Sequence, residues 1–189
     1  MIPSYYSVMV SGHRVLPAGS APWVQDQIDA VVAQLNSKYG MRHALTGMAL
    51  GVDQMFARTA LRIGIRVDAY IPGKDQALRW PDEEREAYEQ LLARSSKIET
   101  ATSVQPYASF VTRLHLRNDM MIRNCNLAVL ILDDRQSGGA YTVKNKLQAA
   151  GRPIIHIDPK NRTTTATWPL DRNAPTAAEK PRTTTKTGR

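Results

Sequence analysis

Three short stretches hold residue types that could grip an anion or work on a sugar. The first is Ser11-Gly12-His13-Arg14. A glycine lets the backbone come close to a ligand. His13 and Arg14 could hydrogen-bond a phosphate or a base. The second is Thr46-Gly47-Met48-Ala49-Leu50-Gly51-Val52-Asp53. Between a strand and a helix, such a loop offers free N–H groups and the positive end of a helix dipole. The expected anion position is therefore above Gly47 and Gly51. Thr46 and Asp53 could meet sugar hydroxyls. Asp53 alternatively complements the dipole as structure alone. The third is Asp133-Asp134-Arg135-Gln136-Ser137-Gly138-Gly139. Two carboxylates followed by two glycines opening a helix make a second phosphate or sugar site. The Thr46–Asp53 loop does not follow the Rossmann Gly-x-Gly-x-x-Gly spacing, and no Gly-Lys-Ser/Thr follows it to mark a P-loop. Arg117 and Asn118 lie towards the end of an expected helix. Arg there is favourable as structure, and phosphate contact is the alternative.

These stretches need a frame that brings them to one edge. Hydrophobic patterning predicts strands over 4–10, 43–46, 66–71, 96–100, 127–132 and 153–157. Helices are predicted over 22–39, from about 53 to 63, and over 82–94, 111–124 and 141–150. Leu127-Ala128-Val129-Leu130-Ile131-Leu132 is near-continuously apolar, as a central parallel strand covered on both faces should be. Repeated strand–loop–helix units with right-handed crossovers imply an α/β fold. The expected architecture is a Rossmann-like open, mostly parallel sheet with helices on both faces. Ligands bind such sheets at the carboxyl ends of the strands, where the three stretches fall.

Composition narrows the rest. The chain has 189 residues, with 25 Lys+Arg against 17 Asp+Glu, a net charge of +8. From Pro159 onward there are seven Lys/Arg, two Asp/Glu and nine threonines, so +5 lies there and only +3 in residues 1–158. The expectation is one domain over 1–158 and a Thr-rich basic tail over 159–189. That tail has too little apolar surface to offset its ordering entropy, so disorder is expected from about 160. One cysteine, Cys125, excludes an internal disulfide. It is expected to be buried and inert. His115 has no second His or Cys at ligand spacing, so neither a metal nor a cofactor is expected. Trp80 reads as a packing anchor, or as a surface for stacking a base. No apolar run approaches the ~18 residues of a membrane span. A soluble, cytoplasmic protein with no membrane partner is the expectation.

In order along the chain, these motifs resemble a known group. Thr46-Gly47-Met48-Ala49-Leu50-Gly51-Val52-Asp53-Gln54-Met55-Phe56-Ala57-Arg58-Thr59-Ala60-Leu61 is similar to the "S-G-x-A-x-G-x-D" stretch of the DNA-processing protein Smf/DprA. Arg117-Asn118 before the apolar strand, Ser137-Gly138-Gly139-Ala140-Tyr141-Thr142 and Gly151-Arg152-Pro153 are similar to that family's later segments. The wider group is the SLOG superfamily, which also holds the LOG phosphoribohydrolases. The layout looks closest to its small YpsA/YspA-like members. These share a "T-G-H-R"-like start, here Ser11–Arg14, a Trp-bearing middle loop, here 74–81, and a "Y-x-x-L-L" helix, here Tyr88 to Leu92. The resemblance covers about residues 4–158. It departs from the LOG signature Pro-Gly-Gly-x-Gly-Thr, and the helix after Gly139 carries Lys144 and Lys146 but no Glu. It also leaves no room for the flanking domains of the DNA-processing protein.

Three functions follow as expectations. The first is a sensor or sequestering module for a nucleotide or nucleotide-derived ligand, with Gly12, Gly47, Gly51, Gly138 and Gly139 giving close approach. Arg14 and Arg117 would offset phosphate charge. The resemblance implies signalling or defence-related nucleotides, and a homodimer. The second is a nucleotide N-glycosidic hydrolase, for which Asp53 and Asp133 are the catalytic candidates, with Asp134 beside them. The third is single-stranded DNA binding, against which the small charge of residues 1–158 argues.

Overall fold

The computed structural model describes residues 5–167. Strands β1 (Ser7–Gly12), β2 (His43–Thr46), β3 (Arg66–Ile71), β4 (Lys97–Thr100), β5 (Leu127–Ile131) and β6 (Ile154–Asp158) are all parallel. A seventh, β7 (Thr163–Ala166), runs antiparallel to β6. The order across the sheet is β4-β3-β2-β1-β5-β6-β7. The chain thus leaves β1 to one side for β2, β3 and β4, and crosses back to the other side for β5. The adjacent carboxyl ends of β1 and β5 form the switch point where this fold class makes its crevice.

Five helices cover the sheet: α1 (Ala21–Tyr39), α2 (Val52–Arg62), α3 (Asp82–Ala93), α4 (Phe110–Asn124) and α5 (Gly139–Ala149). Alternation along the strands separates two cores. Val8, Val10, Val129 and Ile131 pack with Ile28, Leu35, Phe56 and Leu91 of α1, α2 and α3. Met9, Ala128 and Leu130 face Met121 of α4 and Leu147 of α5. This is the expected α/β Rossmann-like architecture, with element ends within one to three residues of their expected places. Pro22 sits in the first turn of α1. Gly40 ends that helix at φ +71, its N–H bonded to the Leu35 carbonyl, a conformation that costs glycine little.

The threonine-rich segment corrects the sequence reading. Disorder was expected from about residue 160, yet Thr163–Ala166 is a strand. β-branched threonines suit a pleated edge, and β6 supplies the ladder that composition alone does not reveal. The Asp158 carboxylate shapes the turn into it, accepting the N–H groups of Lys160 and Asn161 at 2.9 and 3.0 Å. Burial pushes that carboxyl up, but the Asn161 and Lys160 bonds outweigh it and hold it below its usual range. Thr164 Oγ1 donates to Gln27 Oε1 at 2.8 Å and ties β7 to α1. Residues 168–189, the rest of the expected tail, and residues 1–4 lie outside the described residues.

Cys125 is buried, and burial pushes its thiol up to about 11. It sits at the junction of α4 and β5, away from the strands' carboxyl ends. His156 Nε2 pairs with the Leu132 carbonyl at 2.9 Å.

Candidate functional site

A cleft of about 360 Å³ opens at the carboxyl ends of β1 and β5. The loop after β1 gives it Gly12, His13 and Arg14; α2 gives Asp53; α4 gives Arg117 and Asn118; the loop into α5 gives Gly138 and Gly139. Residues from four distant stretches of sequence therefore share one wall. Thr46, Gly47, Gly51 and Asp133 do not line it. They hold those that do.

The Thr46–Asp53 loop is built inward. Ala49 N–H donates to Asp53 Oδ2 at 3.2 Å. Thr46 Oγ1 donates to the Asp53 carbonyl and accepts the Met48 N–H, each at 3.1 Å. Met48 is buried at φ +55, a left-handed conformation rare for a side chain of its size. Across the loop, Arg117 Nη1 donates to the Gly47 carbonyl at 2.6 Å, and Gln76 Nε2 donates to the same oxygen at 3.0 Å. Burial pushes the Asp53 carboxyl up, opposed by the charge of Arg117, the Ala49 N–H and Arg14. Burial likewise pushes Arg117 down, opposed by the charge of Asp53. Asp53 and Arg117 thus offset each other in a dry environment.

The glycines divide into two kinds. A Cβ on Gly12 would lie 2.6 Å from both the Ile131 carbonyl and Val52 Cγ2. On Gly51, at φ +84, it would lie 2.5 Å from the Arg14 carbonyl. On Gly47 it would overlap the Arg117 guanidinium and lie 2.9 Å from Asp53 Oδ2. At these three positions the room is taken by the chain itself. At Gly138 and Gly139 a Cβ would meet nothing within 4 Å. The amino end of α5 is therefore open towards the cleft, and Gly138, at φ +91, turns the chain into it.

His13 is held from behind. Its Nε2 lies 3.0 Å from Asp133 Oδ1. Arg135 clamps the same carboxylate, its Nε 2.8 Å from both oxygens and its Nη2 2.7 Å from Oδ2. Those Arg135 bonds, with the Arg135 N–H and the charge of His13, hold Asp133 well below the usual carboxylate range against the opposing effect of burial. The third carboxylate, Asp134, is exposed and paired with Lys160 at 2.7 Å. Arg14, by contrast, is exposed at the cleft and makes no ion pair with the described residues. Among the described residues no group of three or more His, Cys, Asp or Glu could hold a metal ion. No described helix is long and apolar enough to cross a membrane.

The sequence pattern of the YspA SLOG family matches residues 20–159. The chain belongs to this family. No curated protein sequence matches it. Among solved structures, DNA processing protein A from Streptococcus pneumoniae superposes with a TM-score of 0.55 at 17% identity, over 80% of this chain and 50% of that one. DNA processing protein A from Helicobacter pylori, described with a single-stranded DNA binding mode, gives 0.57 at 18% identity over 82% and 70%. The YspA-family chain thus spans half the length of the first and shares with both the fold.

Several lining residues of this YspA-family cleft were not among the sequence candidates. Leu114 and His115 lie three residues before Arg117 and Asn118, hence on the same face of α4. That spacing was a usable signal. Gln76, which lines a neighbouring cavity, carried none, because its role depends on a loop whose path the sequence does not specify. The loop is pinned by a two-pronged ion pair, Arg113 Nη1 and Nη2 to Asp75 Oδ1 and Oδ2 at 2.7 and 2.6 Å. Trp80, at the end of that loop, packs edge-on to Tyr88 with ring centroids 5.3 Å apart. It anchors the loop, as one of its two expected readings has it, and its remaining surface lines a second lobe of about 350 Å³.

Proposed function

We propose that the protein binds a nucleotide or nucleotide-derived anion across the carboxyl ends of β1 and β5, as a sensor or sequestering module. The observation that carries this reading is the open amino end of α5. No side chain caps it, Gly138 and Gly139 have open space beside them, and they share one cleft with Arg14, His13 and Arg117. Unpaired N–H groups and the helix dipole favour an anion there, and cations nearby add to it. The cleft volume suits a small ligand. Asp53, which lines the cleft, is buried against the charge of Arg117, and Asp133 behind it is held by Arg135 and His13, which supports binding ahead of hydrolysis.

The test is thermal unfolding with a panel of nucleoside mono- and diphosphates. A ligand that binds only the folded state raises the melting temperature, by about 2.7 kcal/mol of added stability at one hundred times its Kd. Gly139→Val places a side chain in open space at the start of α5, so the unliganded melting temperature should stay near that of the wild type. The nucleotide-induced rise should be lost. A panel that stabilises neither protein, or stabilises both equally, overturns the assignment. Stabilisation by single-stranded oligonucleotides alone would make the cleft a nucleic-acid groove instead.

A further inference from the structure

Resting on that reading, we infer that the ligand has two ring systems joined through phosphate, the second ring occupying the lobe formed by the 74–81 loop and α4. The two lobes adjoin, because Arg14, Leu114 and Arg117 line both. Each is at the small end of ligand cavities, which run about 300–1,000 Å³. Each therefore suits one nucleoside-sized piece. Arg14 and Arg117 stand at their junction, where a linking phosphate would lie.

The second lobe is built for a polar ring edge against an apolar wall. Trp80, Phe110 and Leu114 supply apolar surface. Gln76 and Arg117 line the same lobe and are each only 7% exposed. Both donate to the Gly47 carbonyl, Gln76 through Nε2 at 3.0 Å and Arg117 through Nη1 at 2.6 Å. The first bond fixes the Gln76 amide, and its Oε1 is then left buried with no partner. Arg117 Nε is buried and unpartnered as well. The two side chains that meet at the Gly47 carbonyl thus each keep one buried polar atom without a partner, which is costly to leave unmet. A ring edge that carries an N–H donor beside an acceptor has the two groups that these atoms lack. Carboxamide-bearing rings and nucleobases have that edge.

The experiment compares calorimetric affinities of AMP, GMP, CMP and UMP with those of NAD⁺ and the 5′,5′-linked diadenosine and diguanosine diphosphates. The best two-ring probe should bind at least about tenfold more tightly than the best monophosphate. Leu78→Glu sets a negative charge on the rim of the second lobe at a position 73% exposed, so folding is unaffected. It should erase that advantage while changing monophosphate affinity less than about twofold. Gln76→Met should do the same, and Leu78→Glu carries the test if the Gln76 variant does not fold. Equal affinity of one-ring and two-ring probes, or equal losses for both in Leu78→Glu, overturns the two-lobe assignment and leaves the first cleft standing. Absence of binding by every probe overturns both readings.

Discussion

Arg117 fills the space that a side chain on Gly47 would need. Its Nη1 donates to the Gly47 carbonyl at 2.6 Å, and its guanidinium covers the face of Gly47 where a Cβ would project. The residue at 47 is therefore small because a cation from α4, seventy positions away in sequence, is laid across it. Asp53, 2.9 Å from the same Cβ position, provides the compensating charge. The loop, the amino end of α2 and the middle of α4 are in this way one unit behind the cleft.

Gly47→Ala should consequently destabilise the protein even though Gly47 does not have a left-handed φ. The added methyl must displace a buried guanidinium, and overpacking of this kind costs about 1–3 kcal/mol. Arg117→Ala is also destabilising, since it leaves Asp53 buried without its cation. In the Arg117→Ala background, however, the Gly47→Ala change should cost less than about 0.5 kcal/mol, because the clashing group is gone. Urea unfolding of the four proteins gives the coupling directly. Additive costs would show that Arg117 yields freely to the methyl.

Much of this frame was legible in the sequence. Leu127–Ile131, apolar at every position, could hardly be anything but a central strand, and Pro22 with Gly40 marked the ends of α1. The sequence put its candidates at the carboxyl ends of the strands without a strand order; Gly12, His13, Arg14, Asp53, Arg117, Asn118, Gly138 and Gly139 line one cleft there, whereas Thr46, Gly47, Gly51 and Asp133 stand behind it. What each glycine is for was not legible. Gly47 and Gly139 look alike as letters, yet one is packed under Arg117 and the other faces open space. That difference depends on contacts between residues far apart in sequence. Thr163–Ala166 was obscured for the same reason, since its partner strand, not its own composition, orders it.

Acid should weaken the protein partly through Asp133. Its folded pKa lies well below the unfolded value of about 3.9, chiefly because Arg135 hydrogen-bonds the carboxylate. A depressed carboxylate contributes stability that is fully present above the unfolded pKa and is lost as pH falls towards the folded one. The melting temperature of the wild type should therefore exceed that of Asp133→Asn at neutral pH. The gap should narrow steadily as pH falls below about 4. A gap that stays constant from neutral to acid would show that Asp133 matters through shape and not through charge.

β7 closes one edge of the sheet. A chain stopped after Pro159 loses the Asn161 bonds to Asp158, the Thr164–Gln27 bond and the whole β7 ladder. It exposes the edge of β6, where Ile155 and Ile157 are fully buried in the intact protein. Uncovered strand edges both destabilise and invite pairing between chains. A chain stopped after Thr167 keeps every one of these contacts, including the Thr167 N–H bonded to the Ile154 carbonyl at 3.0 Å. The shorter chain should melt several degrees lower than the longer, since ~1 kcal/mol shifts the midpoint by about 2–4 °C at this size. It should also self-associate in sedimentation more strongly than the longer chain. The candidate cleft lies at β1 and β5, two strands away from β7, so nucleotide-induced stabilisation should survive in both. Identical melting of the two shortened chains would mean that β7 adds nothing to the fold.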